Sequence, residues 1–165
     1  MLESTVVFNG FTFNDQSKLK ANLAVSPFYC AEITSVDGIY GADVRYEEHP
    51  IPGAIGVKSG DVFRGARTIT ISGILWARGL QDLRTGQWAM AQAFADRAQH
   101  PLTWTPWGLG FSVYLTCRVY QDLVMPEQQP DLKMARNFTV ALRADDPRTY
   151  KTSDNSLYPT WQSGS

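Results

Sequence analysis

At 165 residues, with 44% hydrophobic and 19% charged residues and a formal net charge of −1, the chain is sized for one globular domain with a core of its own. That balance excludes a disordered polymer and argues against gripping phosphate backbones, which needs a basic face. No apolar run reaches the roughly 20 residues of a membrane-spanning helix, and the start, MLESTVVFNG, lacks the features of a secretory signal.

Val6-Val7-Phe8-Asn9-Gly10-Phe11-Thr12-Phe13 predicts a hairpin, because Asn-Gly suits a two-residue turn with positive φ at both centres. That turn pairs Phe8 with Phe11 and Val6 with Phe13, which puts four apolar residues on one face. Residues 16–27 are polar and read as a connection ending in Pro27; Phe28 to Val36 then predicts a strand before Asp37-Gly38. An alternating strand around Val44 and Tyr46 follows. It leads into a Pro/Gly-rich stretch, residues 50–66, which reads as a long loop of the kind usually kept for function.

A strand over 67–76, with Ile69 and Ile71 alternating with Thr68, Thr70 and Ser72, precedes a change of period. Leu80, Leu83, Gln87, Ala91, Phe94 and Ala98 recur at helical spacing, with Met90 beside them, until His100-Pro101 stops the helix. Gly86 is a weak point within it, at about 1 kcal/mol against alanine. Short and long strands follow at Leu102–Thr105 and Phe111–Tyr120. A turn at Pro126–Asp131 and a last strand from Phe138 to Ala144 complete the pattern, and ADDPRTY closes it. Together these elements predict a mainly β fold, an antiparallel β-sandwich or split barrel with one helix. Residues 1–150 form the domain and 151–165 a polar C-terminal tail or linker.

Four stretches, in this order, carry a family likeness: FNGFTFND at 8–15 with the strand and turn to Gly38; the Arg45 strand and its Pro/Gly loop into RTITISGIL; the helix into HPLTW; and ADDPRTY. In them the chain resembles the N-terminal domain of siphophage distal tail proteins, also called phage tail family or minor tail proteins. The resemblance implies a split-barrel β-sandwich of the tail-tube type with a flanking helix. It implies a structural virion protein whose homohexameric ring joins the tail tube to the tail hub or baseplate. DNA and the tape-measure protein would pass through the channel without specific binding, and assembly would take place in the bacterial host cytoplasm. Many members continue into a second, sugar-binding domain, which would begin near Ser165.

On that reading the 50–66 stretch supplies a subunit interface. Candidate contacts are Arg45, His49, Ile51, Pro52, Gly53, Ile55, Gly56, Val57, Val62, Phe63, Arg64 and Arg67. The apolar members would anchor, the glycines would let the backbone bend, and the arginines would pair with acidic groups of a neighbour. Tyr158 and Trp161 are candidate C-terminal anchors. A tail-tube subunit is the nearest alternative.

Two other classes are weighed against this one. An enzyme would need a constellation that His49 and His100 do not form, since neither lies in a catalytic or metal spacing and each precedes a proline. The pairs Glu47-Glu48 and Asp145-Asp146 are adjacent residues that a strand points to opposite faces. No cofactor is expected, and Cys30 and Cys117, without a CxxC or histidine partner, read as buried thiols of a reducing compartment. A stand-alone carbohydrate-binding module would use Trp76, Trp88, Trp104, Trp107 or Trp161, with Trp104 and Trp107 the best placed around the turn at Pro106. Tryptophans in the core or at ring interfaces are the commoner outcome.

Overall fold

The computed structural model describes residues 5–15, 17, 26–39, 44–50, 57–106, 108–127 and 134–158, with backbone alone for 44–50 and 57–64. Among these residues eleven strands and one long helix follow in the order β1 (Val6–Phe8), β2 (Phe11–Phe13), β3 (Tyr29–Asp37), β4 (Val44–Pro50), β5 (Val57–Arg64), β6 (Arg67–Ala77), α1 (Leu80–Ala95), β7 (His100–Trp104), β8 (Val113–Val124), β9 (Ala135–Ala144), β10 (Thr149–Lys151) and β11 (Leu157–Tyr158).

The first hairpin forms in the expected register, Val6 opposite Phe13 and Phe8 opposite Phe11. Asn9 and Gly10 hold φ of 44° and 78° at its turn, a left-handed pair that asparagine and glycine tolerate best. From there one antiparallel hydrogen-bonded path runs β2-β1-β7-β8-β9-β6-β3. β8 serves two layers. Its first half pairs with β7 from His100↔Cys117 to Trp104↔Val113, and its second half pairs with β9 through two register shifts. Such shifts bend a strand and increase its twist, so the path folds over on itself into a sandwich.

The two ends of the path meet at Asn14. Its backbone N–H donates to Ala31 O at 2.8 Å, and its Oδ1 accepts from Ile33 N–H at 2.9 Å. One residue after β2 thereby satisfies part of the outer edge of β3, and the split barrel is closed on that side.

Alternation along β6 puts Ile69, Ile71 and Leu75 inside, on one face with Phe138, Val140 and Leu142 of neighbouring β9, and Val113, Leu115 and Cys117 of β8 are buried with them. The aromatic centre joins layers and helix: Phe13 lies 5.7 Å from Phe138 and Phe8 lies 5.2 Å from Phe94, centroid to centroid. The expected helical stripe is rotated. Leu83, Gly86, Met90, Ala93 and Phe94 are buried, whereas Leu80 is exposed and Ala91 faces solvent. The helix also stops before His100, because the Asp96 carboxylate accepts the N–H of Ala98 and turns the chain out of helical geometry. His100 and Pro101 instead begin β7.

Two further stretches differ from their sequence reading. Val57–Arg64 is a strand, so the residues read as one long loop are largely a hairpin, β4–β5, which forms a two-stranded sheet of its own. Gly60, which reads as a loop residue, falls where the register shifts between Tyr46↔Val62 and Glu48↔Ser59, and glycine inside a strand often marks such a bulge. Beyond residue 150, the polar pattern gives no strand signal, yet β10 pairs with both β11 and β8. The Tyr150 ring stacks on Tyr114 at 5.7 Å.

Candidate subunit interface

The interface candidates concentrate on the β4–β5 arm. Its register places Arg45 opposite Phe63, Val44 opposite Arg64, Tyr46 opposite Val62, His49 opposite Lys58 and Pro50 opposite Val57. Ile51, Pro52, Gly53, Ile55 and Gly56 lie outside the described residues. Strands of 7 and 8 residues span roughly 25 Å at about 3.3 Å per residue. Among the described residues no strand of the main sheet pairs with either of them, so each carries an edge able to take another strand.

Arg67 behaves differently from the other candidates. It is 3% exposed and donates from Nη1 to Ile39 O at 2.8 Å and to Thr149 Oγ1 at 3.4 Å. An arginine so enclosed is committed to its own subunit, not to a neighbour's carboxylate. Its position explains the commitment. Ile39 follows β3 just before the arm and Arg67 opens β6 just after it, so the guanidinium ties the two roots of the arm together. At the first root, Gly38 takes φ of 81°, and a Cβ there would run into Thr68 O. Sequence reading placed Arg67 with its charge type, whereas its alternation with Ile69 and Ile71 already marked it as inward-facing.

Tyr158 is half-buried, edge-on to Phe111 at 5.3 Å, and so docks on its own subunit. Trp161 lies outside the described residues. Of the tryptophans considered for a sugar platform, Trp104 is 3% exposed in the core and cannot stack on a ligand. Trp107 is outside the described residues. Trp76 packs on Phe28 at 5.4 Å. Trp88, on the outer face of α1, is 70% exposed.

Several other titratable groups form surface pairs. Asp145 lies 3.3 Å from Arg118 and 3.7 Å from Arg143. Asp146 accepts from Arg148 and from the Tyr150 hydroxyl. Desolvation alone would raise the Asp146 carboxyl, but these donors outweigh it and hold it below the usual range. His100 Nε2 sits 2.8 Å from Asp96. Both cysteines are buried, and burial pushes the Cys117 thiol up to about 12, which suits a packing role. Among the described residues no group of three His, Cys, Asp or Glu side chains is placed to hold a metal, and no helix is long and apolar enough to cross a membrane.

No family model matches the sequence, and no curated protein sequence matches it. The fold does have solved counterparts. The crystal structure of the SPP1 Dit protein (gp 19.1), described as a paradigm of the hub adsorption apparatus in phages that infect Gram-positive bacteria, superposes with a TM-score of 0.63 over 90% of this chain. The chain spans about half of that structure, 52% of its length, at 16% identity. At that identity the likeness is one of architecture: this chain has the mainly β, helix-flanked sandwich fold of the SPP1 Dit protein.

Proposed function

We propose that the protein is a structural component of a bacteriophage tail tip, a distal tail protein that forms a homohexameric ring between tail tube and tail hub. The observation that carries the reading is the fold shared with a phage hub-adsorption protein over 90% of the chain. The arm supports it. A two-stranded hairpin with edges of its own suits a head-to-tail contact, repeated around a ring until rotation closes it.

The ring continues the DNA channel by geometry, without catalysis or cofactor. The outer face of the β3-β6-β9 sheet fits a passage that does not hold its cargo. It carries hydroxyls at Thr34, Ser72 and Thr139, with Ser72 Oγ 3.1 Å from Thr139 Oγ1. Asp145 pairs with Arg118 and Arg143 at its β8–β9 corner, and the exposed Glu32 of β3 adds a second negative charge. A face without excess cation gives little counterion release on meeting DNA. Tube protein above, hub below and tape measure within are the partners.

Light scattering of the purified protein tests this directly. A ring of six 18.4 kDa chains has a mass of about 110 kDa and should persist on dilution and show an annulus in negative stain. Long stacked tubes would favour the tail-tube reading, and a monomer that stays monomeric with tube and hub proteins would sink both. Replacing Gly53 and Gly56 by tryptophan should abolish the ring and leave the thermal melt unchanged; rings of normal mass would remove the arm from the interface.

A further inference from the structure

A groove of about 400 Å³ lies between the β1–β2 turn and helix α1, within the range of small-ligand sites. Its walls are mostly polar: the amides of Asn9 and Gln92, the hydroxyl of Thr12 and the carboxylate of Asp15, with the ring of Tyr29 beside them. Among the described residues no lysine or arginine lines it, and the Asp15 carboxylate does, so an anion is disfavoured there. An aliphatic guest would strand these polar groups without partners, at a cost for each. Amides and a hydroxyl both donate and accept, a combination that suits a neutral, polyhydroxylated molecule.

The site is also held in shape. Asn9 Nδ2 donates to Ala93 O at 2.9 Å, which fixes the turn to the helix. Asp15 Oδ1 accepts from Ser17 N and Oγ at 3.0 and 2.6 Å. Gly10 leaves the mouth open, with nothing within 4 Å of where a Cβ would stand. Trp88 precedes Gln92 by one helical turn, on the same face, and adjoins the lining residue Ala89. It is 70% exposed, unusual for a residue that is mostly buried on average. An indole beside amides is the pairing that recognises a sugar ring, apolar on its C–H face and hydroxylated at its edge.

We propose that this groove binds a neutral saccharide, with Trp88 stacking on the ring and Gln92, Thr12 and Asn9 reading its hydroxyls. The inference goes beyond the ring reading and is independent of it. Saturation-transfer NMR on the intact protein, in whatever oligomer it forms, tests it with glucose, galactose and N-acetylglucosamine. Glucose-6-phosphate and glucuronate serve as charged controls, and light scattering of the same samples reports assembly.

At least one neutral sugar should give a saturable signal that Trp88→Ala and Gln92→Ala each weaken about tenfold. Melts of both variants should match the parent, since both side chains face solvent. No signal from any sugar at about 50 mM, far above a millimolar Kd, would overturn the proposal. So would binding that survives both variants, or tighter binding of the charged controls. A Trp88→Ala variant that loses the ring while no sugar binds would assign this face to a subunit contact instead.

Discussion

A glycine inside a helix costs about 1 kcal/mol against alanine, yet Gly86 stands mid-helix with the Tyr29 ring 2.8 Å from where a Cβ would be placed. Propensity says Gly86→Ala stabilises; packing says the β3 side of the helix must move. Overpacking a filled site costs about 1–3 kcal/mol, so packing wins, and the variant should melt lower than the parent in a thermal scan. A higher melting temperature would show that Tyr29 yields freely. Asp146 provides a second test at this scale. Its folded carboxyl lies below its unfolded value, so its contribution is present above about pH 4 and is lost as pH falls through the lowered value. The side chain is partly exposed, so Asp146→Asn should cost under about 1 kcal/mol at neutral pH. In denaturant titrations its gap to the parent should close as the medium is acidified. A gap that stayed constant with pH would deny the carboxylate this role.

Among the elements, legibility follows the range of the interactions that fix them. The first hairpin was readable to its register because Asn9-Gly10 and the four apolar residues around them settle it within eight positions. The helix was readable in kind but not in rotation. Ala91 and Ala98 count as apolar in a periodicity, whereas only the packing of Phe94 on Phe8 and Phe13, with Leu83 and Met90 buried along the same helix, selects the buried stripe. The arm was misread because Gly60 and the prolines look like breakers, and only pairing across the bulge makes residues 57–64 a strand. Arg67 decides how that arm leaves the sandwich. Arg67→Met keeps the volume but abandons the bond to Ile39 O, and it should cost about 2 kcal/mol for a charged hydrogen bond in urea unfolding. If the arm mediates assembly, the ring should loosen further than this loss of fold stability explains. Unchanged stability would mean that the two arm roots hold each other without the guanidinium.

For the whole molecule, composition and pattern determined a mainly β fold of near-neutral charge. The order of its motifs pointed to a phage tail fold, which the superposition on the SPP1 Dit protein bears out as architecture. Alternation and turn chemistry act between neighbours in the chain, and a sequence displays them. Three features were settled only by the tertiary structure. β8 is shared between two layers, Asn14 closes the barrel onto β3, and among the described tryptophans Trp88, not Trp104, is exposed. Each depends on residues far apart in sequence competing for the same space or the same hydrogen-bonding groups. That competition is resolved only when the layers pack.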